Sequence, residues 1–258
     1  MLLLLAGLGA AERAFAQTNS QPIRRVLSTA SKNVLLYQKN IPSISCQEHI
    51  VARQIVHNKV RSQTISDSVI RVVRDGSPVH PLSEVREYFS IDGKPAAPGI
   101  EISFPVLVSG AFSEGIWGFV SPAALACLDY SFDPNSTANR GAILFKSDKD
   151  KAALPECARF VGTTGKLTLN NYGRIIGVER TVPPEVAKRL GYAYNAAITF
   201  ASVTLGNNDY QLPVHTYARD VTGQFEFTAD YSSCKLFTST VTLEMANQSL
   251  ISLAGTGN

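Results

Sequence analysis

Apolar and polar residues alternate along most of this chain with a period of two, and the exception comes first. From Pro22 to Tyr37 the apolar positions are Ile23, Val26, Leu27, Ala30, Val34 and Leu35, a spacing that predicts an amphipathic helix. Ser20 stands where a cap would, and Pro22 fits a first helical turn, where its missing N–H costs nothing. Asn40 and Pro42 close the segment. Such a helix is expected to pack its apolar stripe on a sheet.

From Ile44 the rhythm shortens. Strands are predicted over Ile44–Val56, where EHIVARQIV would also tolerate a helix, Thr64–Arg74 and Val85–Ile91, the last two ended by Asp75-Gly76-Ser77-Pro78 and Asp92-Gly93. Two prolines make Lys94–Gly99 a loop. Ile100, Ile102, Phe104, Val106 and Val108 then alternate with Glu101, Ser103, Pro105 and Leu107, which gives that segment one apolar face. Ser109–Val120 is rich in glycine and holds the only tryptophan, Trp117. Ser121-Pro122 predicts a short helix running to about Tyr130, stopped by Asp133-Pro134-Asn135. A short strand at Ala142–Lys146 and a charged connection at Ser147–Leu154 come next.

The C-terminal part is the most legible. Lys166–Leu169 and Arg174–Arg180 pair around Asn170-Asn171-Tyr172-Gly173, and Pro183–Leu190 reads as a loop or helical turn. Tyr192–Arg219 forms a hairpin whose arms meet at Gly206-Asn207-Asn208-Asp209. Pro213 has no N–H, so its arm must lie at a sheet edge or carry a bulge there. Phe225 and Phe227 alternate within Gln224–Thr228, and Phe237, Val241 and Leu243 share one face of Leu236–Glu244. The pattern predicts a mainly β, α+β protein of roughly ten strands in one strongly curved antiparallel sheet. The N-terminal helix packs on the concave side, with short helices in mid-chain.

A chain of 258 residues with 45% hydrophobic and 17% charged residues can bury one substantial core. No linker or repeat divides it, so residues 17–258 are expected to form a single domain. Residues 1–16 read as a signal peptide. An apolar run, too short to span a bilayer, precedes Ala14-Phe15-Ala16 and a small-x-small cleavage point before Gln17. The mature chain is therefore expected to be soluble, with no transmembrane segment, and periplasmic or secreted. The net charge of +3 is spread along the chain without a dense basic block, which excludes nucleic acid as the expected partner.

The cysteines are Cys46, Cys127, Cys157 and Cys234, an even number that in an exported chain favours disulfides. Of the three possible pairings, Cys127–Cys157 is the first choice, because it staples the mid-chain helix to the next strand; Cys46–Cys234 then completes the set. No C-x-x-C spacing suggests zinc. There is no G-x-S-x-G elbow, H-E-x-x-H pair, phosphate loop or dinucleotide fingerprint. In Cys46-Gln47-Glu48-His49 a strand puts Cys46 and Glu48 on one face and His49 on the other, which separates a Cys–His dyad. Glu84, Glu87, Asp92 and Asp129 read as solvated carboxylates of strand faces and turns. No catalytic residue, metal or cofactor is expected, and the chain is not read as an enzyme.

The aromatic rings are the remaining lead. Phe104, Trp117, Phe119, Phe200, Phe225 and Phe237 lie on or beside apolar strand faces. They are core residues in one reading and the lining of an apolar-ligand site in another, with Phe104, Trp117 and Phe200 nearest the cavity.

The order of elements and four segments carry a resemblance. These are LYQKNIPSISCQEHI, EYFSIDGKPA, Phe160 to Asn171, and YSSCKLFTSTVTLE. Over roughly Pro22 to Glu244 the chain resembles exported bacterial proteins of the periplasmic lipoprotein-carrier superfamily (LolA/LolB-like, LppX-like). The resemblance implies an unclosed β-barrel, or half-barrel, whose concave apolar face is lidded by helices and receives acyl chains. It implies carriage of a lipid or lipoprotein in the cell envelope. A structural or protein-interaction module of the periplasm, its concavity filled by its own helix, is the other function expected from these features.

Overall fold

The computed structural model describes residues 8–74, 82–136, 141–190 and 193–237. The chain opens with α1 (Leu8–Asn40), then strands β1 (Ile44–Val56), β2 (Lys59–Arg74), β3 (Leu82–Ile91) and the short β4 (Lys94–Pro95). After a long irregular segment come α2 (Trp117–Val120) and α3 (Pro122–Cys127), then β5 (Leu128–Phe132) and β6 (Ala142–Ser147). A 3-10 turn at Pro155–Phe160 leads to β7 (Thr164–Leu169), β8 (Ile175–Thr181) and α4 (Pro184–Leu190). The hairpin of β9 (Asn195–Leu205) and β10 (Asn208–Arg219) precedes β11 (Phe225–Leu236), the last strand among the described residues.

Among the described residues eleven strands form one sheet in the order β4-β3-β2-β1-β11-β10-β9-β8-β7-β6-β5, antiparallel throughout and not closed into a barrel. Each strand pairs with its sequence neighbour except at the centre, where the first and last strands lie side by side. Cys46–Cys234 joins them across 188 residues, with Cα atoms 4.0 Å apart. The second bridge, Cys127–Cys157, ties the end of α3 to the 3-10 turn at a Cα separation of 5.3 Å. By the chain-entropy model these closures contribute about 5 and about 3–4 kcal/mol.

This topology forces a crossing. β4 lies at one edge of the sheet and β5 at the other, so the chain between them must travel across a face. It takes the concave one: Val106, Val108, Ala111, Phe112 and Val120 are buried in the same core as Ile44, Ile70, Phe145, Phe200 and Phe227 from the strands. Ile23, Leu27 and Ala30 of α1 join that core, so the helix and the crossing segment together cover the concave face.

Local structure reflects the chemistry of the turns. Asp92 and Gly93 have φ of 49° and 74°, the paired positive values of a tight hairpin turn. Ser121 caps α3 by accepting a hydrogen bond from the N–H of Ala124 at 3.2 Å, with Pro122 in the first turn. The β9–β10 register shifts between Pro213 and His215, so Pro213 occupies a bulge inside the sheet.

Several expectations need correction. The helix does not begin near Pro22: α1 starts at Leu8 and Pro22 lies inside it, so Ser20 is not its cap. Upstream alanine, leucine, glutamate and arginine are strong helix formers and carry the helix through the proline. The expected helix over Ser121–Tyr130 ends at Cys127, and Asp129 and Tyr130 are in β5. Residues 101–108 alternate in burial as expected, whereas Ile100 is exposed; the segment forms no sheet ladder, because it crosses the sheet. β11 runs unbroken from Phe225 to Leu236. Most of the strand expected over Leu236–Glu244, and residues 1–7 of the expected leader, lie outside the described residues.

Candidate functional site: a cavity under the helix and the crossing segment

α1 and the crossing segment do not fill the concavity. Between them and β8–β10 lies a cavity of about 560 Å³ that opens to solvent. Val34, Leu36 and Tyr37 of α1 form one wall, and Phe112, Ile116 and Trp117 the second. Ile175, Phe200 and Tyr210 from the strands form the floor. Asn33, Asn40, Ser202, Asn208, Asp209 and Gln211 add amides, a hydroxyl and a carboxylate at its surface. Asp209 is already engaged, accepting a hydrogen bond from Thr204 at 2.6 Å. Its exposed lining is apolar and polar in about equal parts, with Arg174 at the rim, and its volume lies in the range of roughly 300–1,000 Å³ usual for a small-ligand site.

The walls are held in place by a half-buried carboxylate. Glu84 of β3 accepts hydrogen bonds from the N–H groups of Gly110, Phe112 and Ser113 at 3.1, 2.9 and 2.8 Å, and from the Ser113 hydroxyl at 2.9 Å. From the helix side, the Tyr37 hydroxyl donates to the carbonyl of Phe112 at 3.2 Å, and the Gln38 amide to that of Ser113 at 3.0 Å. Burial, and secondarily the Glu84 charge, pushes the Tyr37 hydroxyl far above the usual phenol range, so it remains a donor. The chain at the cavity rim is thus pinned from both sides.

A second polar centre supports the first. Glu48 of β1, 1% exposed, receives Arg86 Nε at 2.8 and 3.0 Å and the Ser68 hydroxyl at 2.6 Å. Arg86 also donates to the carbonyl of Val108 at 3.2 Å. Burial disfavours the guanidinium charge, but the Glu48 carboxylate outweighs it, and Arg86 stays protonated at all ordinary pH. At the end of α1, Arg74 donates to the carbonyls of Gln38, Lys39 and Ile41 at 2.7, 3.0 and 3.1 Å. A cation there satisfies helix C-terminal acceptors that have no partner within the helix.

The aromatic candidates divide. Trp117 and Phe200 line the main cavity. Phe119 stacks on Phe145 at 4.9 Å and borders a smaller cavity of about 140 Å³ on the other side of the crossing segment. Phe104 packs edge-on against Phe227 at 5.7 Å, and Phe225 is half-buried against the same core. Phe237 lies under the Arg71 guanidinium at 5.5 Å. These last three are away from the main cavity. Sequence reasoning does not single out the cavity residues of α1, nor Ile116, Ile175 and Tyr210; a helical stripe reads as core, and nothing in its spacing reveals an unfilled flank.

Two histidines, His49 and His215, lie elsewhere. Both project from the exposed face of the sheet, each 2.7 Å from a carboxylate, Asp67 and Asp230 respectively. Among the described residues no group of three or more His, Cys, Asp or Glu is arranged to hold a metal ion.

No family model matches the chain, and no curated protein does. Among solved structures it is similar to a LolA superfamily protein from Nitrosomonas europaea, with 12% identity, 84% of this chain and 94% of that chain covered, and a TM-score of 0.37. It is similar to a DUF1329 family protein from Desulfovibrio piger, with 7% identity, 85% and 95% covered, and a TM-score of 0.39. A third similar structure is an outer membrane lipoprotein-sorting protein domain from Vibrio parahaemolyticus, with 8% identity, 83% and 94% covered, and a TM-score of 0.37.

Proposed function

We propose that the protein binds a lipid or another apolar ligand, without catalysing a reaction on it, in the cavity beneath α1 and the crossing segment. The observation that carries this reading is the cavity itself: about 560 Å³ walled by Phe112, Ile116, Trp117, Ile175 and Phe200. Phe112, Ile175 and Phe200 are buried, but Ile116 and Trp117 are only half-buried there, and completing the burial of one such side chain stabilises by up to roughly 1.5–3 kcal/mol. A ligand's apolar chain would recover part of that energy, and the amides and hydroxyls at the rim would meet its polar end. Two disulfides support a site of action in an oxidising compartment, the periplasm or the exterior.

Organic extraction of the purified full chain, paired with native mass spectrometry, tests the reading. The expected result is a co-purifying lipid or fatty acid near one per chain. Protein that carries no such molecule, and takes none up from added stearate, would point instead to a structural or protein-interaction module.

A further inference from the structure

From Pro22 to Asn40 the solvent side of α1 carries charge of one sign. Between Pro22 and Asn40 the cations are Arg24, Arg25, Lys32 and Lys39, and there is no aspartate or glutamate. Arg25, Lys32 and Lys39 recur every seven residues, close to two helical turns, and so stand in one row. All three are exposed, on the side of the helix away from the buried Ile23, Leu27 and Ala30. Leu35 and Leu36 flank the row and are 47% and 56% exposed.

Cavities open along both flanks of this row. The main cavity lies on the Leu36 side. On the other side a second one, about 540 Å³, separates Ile23, Leu27 and Ser31 from Leu125, Leu128 and Tyr130. The acidic groups at these two rims are Asp209 and Asp129, and Arg174 and Lys151 stand on the same rims. Asp148 is paired to Lys151 at 2.9 Å.

We propose that the outward face of α1 is a docking surface for a lipid bilayer bearing anionic headgroups, seated so that both cavity mouths face the bilayer. The inference rests on the reading of the main cavity as an apolar-ligand site and adds where the ligand is exchanged. A helix with a basic polar face and exposed leucines suits the headgroup layer, where charge attracts and apolar side chains insert. A nucleic acid would use the cations but leave the leucines unexplained. Each basic residue near an anionic bilayer strengthens binding by about fivefold.

Vesicle flotation of the full chain tests the surface, with phosphatidylcholine alone and with phosphatidylglycerol added, at about 0.01 M and about 1 M salt. The protein should float with the anionic vesicles at low salt and be released at high salt. The double variant Arg25→Glu/Lys39→Glu should lower the bound fraction by more than about tenfold. Lys59→Glu, at the start of β2, should leave it unchanged. Equal flotation with both vesicle types, an unaffected double variant, or retention by a DNA duplex but not by vesicles would overturn the proposal. Neither Arg25 nor Lys39 lines the main cavity. Quenching of Trp117 by brominated stearate should therefore persist in the double variant. If wild-type protein floats with anionic vesicles but shows no quenching, the cavity reading fails and the docking surface stands.

Discussion

Gly115 of the crossing segment lies so tightly against Phe200 of β9 that a β-carbon built on the glycine falls 3.0 Å from the phenylalanine ring. The carbonyl of Ala111 is closer still. Backbone atoms cannot yield as a side chain can, so Gly115→Ala must push the segment off the strand. The expected cost is about 1–3 kcal/mol, read as a lower urea midpoint. Trp117, two residues on, should shift its emission in the folded protein.

Glu84 reads in the sequence as a solvated strand carboxylate, and the structure makes it the latch of the cavity wall. Glu84→Gln keeps the shape but removes the charge that the N–H groups of Gly110, Phe112 and Ser113 meet. Destabilisation of about 1.5–3 kcal/mol is expected. Amide hydrogen exchange should locate the loss in residues 108–117 and leave the β9–β10 hairpin protected.

Arg86 Nε lies 2.8 Å from the fully buried carboxylate of Glu48, and the Arg86 side chain is itself largely buried. Arg86→Met should therefore be severe, about 3–5 kcal/mol, because it strands a carboxylate in the core. Adding Glu48→Met should return most of that loss, since an apolar pair carries no desolvation penalty. Chemical denaturation of both variants checks the coupling; additive losses would contradict it.

The β10–β11 turn is held by Asp220, which accepts hydrogen bonds from the Thr222 hydroxyl and from the N–H groups of Thr222 and Phe225. Partial burial favours the neutral acid, but these bonds prevail and hold the carboxyl below its ordinary range. A lowered folded-state pKa contributes stability above the unfolded value of about 3.9 and loses it as pH falls through the folded value. Asp220→Asn should be less stable than wild type at neutral pH by at most about 1 kcal/mol, given solvent screening. The two thermal midpoints should converge as pH falls through the folded-state value, below the ordinary carboxylate range.

Much of the scaffold is legible because its signals are local. Asp92-Gly93, Ser121-Pro122 and Pro213 announce a turn, a cap and a bulge through backbone chemistry, and both cysteine pairs come from an even count and one favoured staple. The route of residues 96–116 is not legible. Its direction is dictated by β1 pairing with β11, a register between residues some 190 apart, which no local pattern encodes. The same non-locality limits the site. Alternation tells that Phe225 and Phe227 share a face, but not which stretch of that face the helix leaves uncovered. Trp117 and Phe200 stand out in the sequence as large rings beside apolar segments, whereas Val34 and Tyr37 look like an ordinary packing stripe.

The most direct measurement of the central claim uses Trp117, the only tryptophan and a cavity residue. Brominated stearate quenches indole on contact, so titrating it reports occupancy of this cavity. Saturable quenching near one equivalent per chain is expected, and Ser202→Phe, which fills the cavity from the β9 side, should abolish it while circular dichroism stays unchanged. Absence of quenching in the wild type, or an identical titration in folded Ser202→Phe, would contradict an apolar-ligand site beneath α1.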